Sequence, residues 1–179
     1  MDEYQKMQRA KDHFFKQDRH SPLTPEQRKD FTGLTYFPAN PDLKLVVAVA
    51  PVQEEQEVVI QTSTGDQQTY RRYGKFSFSV DGQKAELTIF ANELGYFLPF
   101  VDALAGQETY GAGRYLEPEE LEDGRFLIDF NLAYNPYCAY NENWSCPLTP
   151  FENRLKVPVR AGEKIPQGDW TEHAEIYSG

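Results

Sequence analysis

General acid–base catalysis at neutral pH calls for two carboxyl groups held in unlike environments, with a cation nearby to fix an anionic substrate. The 179-residue chain carries such groups in three separated segments. Residues 97–116, FLPFVDALAGQETYGAGRYL, contain Asp102, Glu108, Tyr110 and Arg114 among glycines. Asp129-Phe130-Asn131 is the second segment, followed by Asn135-Pro136-Tyr137, and Glu152-Asn153-Arg154 is the third. If the three converge on one hollow, Asp129 or Glu152 is the candidate general base, with Asp102 as a further catalytic carboxyl. Arg114 would then hold an anionic group bidentately. Glu108, Tyr110, Asn131, Asn135 and Tyr137 would complete the ligand-binding wall.

Other chemistries have weaker support. Cys138 lies in a block without histidine, and a thiol with no base beside it stays mostly protonated. Cys138 and Cys146 lack the second ligand pair that tetrahedral zinc requires, so buried thiols are the simpler expectation. Gly111-Ala112-Gly113 lets the backbone turn sharply. No Lys-Ser or Lys-Thr follows it, so it makes a weak phosphate cradle and reads more simply as a bulge that aims Arg114 inward. Oxygen-rich side chains would admit Mg²⁺ or Ca²⁺, but no recognisable loop assigns a metal, and no motif identifies a cofactor.

The elements that must position these groups are mainly strands. Tyr4, Met7, Phe14 and Phe15 fall on one helical stripe, which predicts an amphipathic helix near residues 2–18. Thr24-Pro25-Glu26-Gln27 is a start signal for a short second helix ending near Gly33. From Leu43 the period changes: LKLVVAVAP and EVVIQTST are apolar, β-branched runs. In KFSFSV, Phe76, Phe78 and Val80 face one way and Lys75, Ser77 and Ser79 the other. Asp81-Gly82 then predicts a type I′ turn into a partner strand over 83–91, with Tyr73-Gly74 as a kink or bulge. Further strands are expected at Gly95–Phe100, Glu108–Gly111, Phe126–Asn131 and Leu155–Val159. A strand through Asn131 would put Asp129 and Asn131 on one face. The acidic connector at 117–123 reads as a helical turn closed by Asp123-Gly124.

The fold class that follows is mainly β, a single antiparallel β-barrel or sandwich-like domain with one or two N-terminal helices. It divides into a helical segment at 1–33, a β-rich body at 43–164 and a tail at 165–179 in which Trp170 could dock back. The net charge of −10 repels phosphate backbones and acidic membrane surfaces, so nucleic-acid partners are not expected. No stretch approaches the ~18 apolar residues of a membrane span, and the charged N-terminus is unlike a signal peptide, which together indicate no membrane association and a cytoplasmic setting. An exposed apolar stripe on the first helix would allow a homodimer.

TYGAGRYL, DFNLAYNPYCAYNENWSCPL and ENRL, with FTGLTYFP, LPFVD and AGE around them, resemble the signature blocks of a prokaryotic family catalogued as a domain of unknown function, DUF1684. The resemblance covers roughly residues 28–164. Leu104-Ala105 stand where the family carries Thr and a small polar residue, and Thr149 where it carries a second Pro. The resemblance implies no established activity. The residues themselves leave three readings: a small-molecule binder for a polar or anionic ligand, the same pocket with carboxylate catalysis, and a non-catalytic structural or interaction protein whose polar network stabilises a loop over the sheet.

Overall fold

Two helices precede eight strands in the computed structural model, which describes residues 1–167. Helix α1 (Glu3–Gln17) opens on a capping box in which the Asp2 carboxylate accepts from Gln5 N–H and the Gln5 side chain accepts from Asp2 N–H. Helix α2 (Pro25–Asp30) has the expected Thr24–Gln27 box with Pro25 at its start. The C-terminal end of the apolar stripe of α1 turns inward, whereas Met7 is exposed. Phe15 is buried against Phe31 and Tyr140, their ring centroids 5.8 and 5.2 Å away, so the core of that stripe packs within the chain.

The strands form two antiparallel sheets. β1 (Lys44–Val47), β8 (Phe126–Asp129) and β7 (Glu119–Glu120) make a three-stranded sheet in the order β1-β8-β7. β2 (Ala50–Gln61), β3 (Gln67–Val80), β4 (Gln83–Asn92), β5 (Gly95–Phe100) and β6 (Arg114–Leu116) make a five-stranded sheet in chain order. Among the described residues no strand pairing joins the sheets into a closed barrel, so the sandwich-like alternative fits. Their facing surfaces bury one core in which Phe78 and Phe100 both meet Phe130, with centroids 5.2 and 5.3 Å apart, and Tyr96 meets Phe126 at 4.9 Å.

The β3–β4 hairpin follows the sequence closely. Phe76, Phe78 and Val80 are buried while Lys75, Ser77 and Ser79 are exposed. Val80 pairs with Gln83, and Asp81 and Gly82 take φ values of 51° and 79°, the two positive angles a type I′ turn demands. The register slips between Arg72 and Gly74, at the expected bulge. Three expectations are corrected. Glu108–Gly111 is a turn region with one isolated bridge, and Leu155–Val159 is an irregular segment whose Leu155 N–H donates to Val101 O at 2.7 Å. The 117–123 connector contains β7, paired with β8, rather than a helical turn, although the Asp123-Gly124 turn forms. At 108–111 local turn bonds, such as Glu108 N–H to Leu104 O, replace a ladder, whereas at 155 and 119–120 pairing with another segment overrode local propensity. Trp170 lies outside the described residues.

Gly113, at φ 101°, ends the turn that delivers Arg114 to β6. A Cβ there would lie 2.6 Å from Phe100 O and 2.8 Å from Thr149 Oγ1. Gly124 also has positive φ, at 84°, but nothing lies within 4 Å of its Cβ position. Gly124→Ala is therefore expected to cost only the left-handed penalty of about 1–2 kcal/mol. Gly113→Ala should cost roughly 1–3 kcal/mol more from overpacking. Urea denaturation of the two variants measures the difference, and equal losses would show that the close approach at Gly113 is slack.

Candidate functional site

Arg114 is 1% exposed, and a guanidinium at that depth must find acceptors in the protein. Its Nη1 donates to the carbonyls of Ala161 and Glu163 and its Nη2 to that of Val159 at 2.9 Å, while Asp102 Oδ2 lies 3.8 Å away. The ring of Phe100 covers it with the guanidinium carbon 5.1 Å from the centroid. Burial pulls its pKa down to about 10, against the opposing pull of Asp102 and Glu163, so it stays charged at neutral pH. Asp102 in turn accepts from Thr109 Oγ1 at 2.6 Å and from Val159 N–H at 2.7 Å.

The other two carboxylates have different partners. Glu152 faces Arg72, whose Nη2 donates at 2.7 Å and Nε at 3.0 Å, and also accepts from Thr88 Oγ1 at 2.9 Å. Partial burial would raise its pKa, but the hydrogen bonds from Arg72 and Thr88 outweigh that and hold it below the ordinary carboxylate range. Asp129 ends β8 and accepts from the Tyr4 hydroxyl at 2.6 Å and from Asn131 N–H and Nδ2 at 3.0 and 2.9 Å. Burial, together with the bond to Asp129, pushes the Tyr4 hydroxyl up to about 12. The strand stops at Asp129 and a 3₁₀ turn over Phe130–Leu132 follows. Asp129 and Asn131 therefore meet through a side-chain cap rather than strand alternation. Thus Arg114 and Asp102 share one network, Glu152 a second and Asp129 with Asn131 a third, and the expected convergence on one hollow does not occur. Each carboxylate found its donors in its own surroundings.

Glu163, which the residue-level reading passed over, is the centre of a fourth group. It is 2% exposed and accepts from Lys11 Nζ, from Asn135 N–H at 3.0 Å and from the Tyr140 hydroxyl at 3.2 Å. Asn135 also donates from Nδ2 to Lys164 O at 2.9 Å, and its Oδ1 is buried without a partner among the described residues. Tyr110 is buried in the cluster of Phe15, Phe31 and Tyr140, whereas Tyr137 is half-buried with its ring 5.1 Å from that of Trp144. Glu108 stands apart, half-exposed and 3.7 Å from Arg160 Nε. Its charge is turned outward. Lys11 carried a signal only as the polar member beside the apolar stripe, and Glu163 only as the last residue of the AGE block.

A groove of about 460 Å³ opens between α1 and the segment 131–134. Met7, Leu132 and Ala133 give it apolar walls, and Tyr36, Asn131 and the Lys11–Glu163 pair give it polar ones. The Lys11 ammonium lies 5.0 Å from the centre of the Tyr134 ring. The Tyr36 hydroxyl is buried without a hydrogen-bond partner among the described residues, and burial beside Glu163 pushes its pKa well up. None of Asp102, Arg114 or Glu152 lines this space. Among the described residues no group of three or more His, Cys, Asp or Glu side chains is placed to hold a metal ion, and no helix is long and apolar enough to cross a membrane.

Comparison with known proteins agrees with this architecture. The model of a family described as protein of unknown function, DUF1684, matches residues 29–164. A solution NMR structure of an uncharacterized protein of Haloarcula marismortui is 40% identical, with 92% of each chain covered and a TM-score of 0.67. No curated protein matches the chain.

Two measurements test the networks. Removing the guanidinium strands three carbonyls and Asp102, so Arg114→Ala is expected to cost roughly 3–5 kcal/mol, a fall in Tm on the order of 10 °C. An unchanged Tm would show that this cation is dispensable to the fold. Glu152 binds a proton more weakly in the folded chain than in the unfolded one. Its contribution to stability is therefore full above the unfolded carboxyl pKa of about 4.3 and is lost as pH falls through the lowered folded value. Urea midpoints across this range should fall less steeply for Glu152→Gln than for the wild type.

Proposed function

The chain belongs to the DUF1684 family, and from that premise we propose that it is a non-catalytic binding domain that takes a small polar ligand in the groove between α1 and residues 131–134. The observation that carries this reading is Tyr36, which lines that groove and whose buried hydroxyl has no hydrogen-bond partner among the described residues. An unmade hydrogen bond at a buried hydroxyl costs about 1–3 kcal/mol, which a ligand acceptor would recover. Lys11 stands on the same wall and, among the described residues, pairs with one carboxylate, that of Glu163, leaving ammonium N–H groups for a second acceptor. The volume suits a metabolite-sized molecule.

Charge narrows the ligand class. Lys11 is matched by Glu163, and Glu117, also on the wall, accepts from the Tyr134 hydroxyl. The groove holds no surplus cation among the described residues, and Arg114 is satisfied elsewhere by carbonyls. A neutral, hydroxyl- or amide-bearing molecule fits better than an anion. Catalysis by the carboxylates has less to support it, since Asp102, Asp129 and Glu152 all accept strong internal hydrogen bonds that a proton transfer would have to break.

Thermal-shift screening against sugars, nucleosides and small amides tests the reading. A true ligand at a hundred times its Kd should add about 2.7 kcal/mol, a rise in Tm of roughly 5–10 °C. Tyr36→Phe should weaken its binding about tenfold, while leaving the unliganded protein at least as stable. The reading fails if no compound shifts Tm, or if a compound that does binds Tyr36→Phe and Lys11→Met as tightly as the wild type.

A further inference from the structure

The two cysteines have no part in the groove, and both are free, at 3% and 7% exposure for Cys138 and Cys146. They are neighbours. Cys138 N–H donates to Cys146 Sγ at 3.4 Å, and both side chains lie in a buried cluster that includes Tyr115. Cys146 sulfur accepts that backbone N–H, which favours negative charge there. The neighbouring Cys138 thiol, aided by the amides of Cys138 and Tyr137, draws Cys146 down to about 7 against the effect of burial. The same proximity, with burial, pushes Cys138 up. The amide aimed at Cys146 sulfur and the opposite directions of the two shifts favour Cys146 as the attacking and Cys138 as the resolving cysteine. Glu142 to Ser145, leading directly into Cys146, are exposed.

We infer that Cys138 and Cys146 are an oxidisable pair, a modification site at which a hydroperoxide converts the dithiol to an intramolecular disulfide. The Cys146 thiolate attacks the peroxide oxygen, forming an S–O bond as the O–O bond breaks. With hydrogen peroxide the departing hydroxide takes a proton and leaves as water. Cys138 sulfur then attacks Cys146 sulfur, the S–O bond breaks, and the second hydroxide leaves with the Cys138 proton as water. The sulfurs lose two electrons in total and the peroxide gains them.

Oxidation closes a covalent ring over residues 138–146. The turn inside that ring is already docked, since Asn141 Nδ2 and Trp144 Nε1 both donate to Pro22 O at 3.3 Å, and Ser63 Oγ donates to Trp144 O at 2.9 Å. The disulfide would pin a loop that bridges the α1–α2 connector and the β2–β3 turn. This inference stands apart from the ligand reading, because neither sulfur lines the groove.

The test uses reduced wild-type protein treated with hydrogen peroxide under native conditions and followed by intact mass. The expected result is a monomer lighter by two hydrogens that regains them with dithiothreitol. In Cys138→Ser the sulfenic acid should persist and be trapped by dimedone at Cys146. Cys146→Ser should consume peroxide at least roughly tenfold more slowly. The inference is overturned if the native wild type keeps both thiols, if it forms only intermolecular dimers, or if Cys146→Ser reacts as fast as Cys138→Ser. The wild-type mass measurement is decisive even if a variant fails to fold.

Discussion

A guanidinium keeps its charge at any depth, so burying one commits the surrounding backbone to supplying acceptors. Arg114 imposes that constraint here. Its side chain draws the carbonyls of Val159, Ala161 and Glu163 under the end of β6, and Asp102 beside it fixes Val159 N–H. These bonds give the closing segment its path without a strand ladder of its own. The same path places the Glu163 side chain where it can accept from Asn135 N–H, Tyr140 and Lys11. Polar contacts therefore run from the five-stranded sheet, through the closing segment, to α1.

That constraint also marks where the sequence was legible. The β3–β4 hairpin could be read because its information is local: alternating Phe and Ser, then Asp-Gly with no alternative conformation of comparable ease. The capping box of α2 was legible for the same reason. Leu155–Val159 looked like a strand because its side chains are apolar, and Val157 and Val159 are indeed buried. What the residue types could not express is that Ala103 N–H donates to Val157 O, and Arg114 to Val159 O, in place of a neighbouring strand. Propensity reports burial there correctly and pairing incorrectly.

The polar residues show the same limit in another form. Asp102, Arg114, Asp129, Asn131 and Glu152 stand out in the sequence as polar groups among apolar ones, and four of the five are buried. Their types cannot reveal whether the partner is a ligand or the protein itself, because the decisive acceptors for Arg114 are backbone carbonyls from 45 to 49 residues away. Glu163 was overlooked for the converse reason. It stands in a short segment with no periodic pattern, and its importance comes entirely from what folds against it.

The groove owes its character to the way α1 is attached. Only Phe15 of this helix is fully buried, and polar links such as Tyr4 to Asp129 and Lys11 to Glu163 help hold the helix to the body. A helix with little buried apolar surface opens at a lower free energy than the sheets beneath it. The wall of the groove is therefore its least stable part, while its floor is fixed through Glu163 to the buried network of Arg114. A ligand that bonds Tyr36 and Lys11 would add contacts at that wall, coupling occupancy to the docking of α1 and leaving the rest of the fold nearly unchanged.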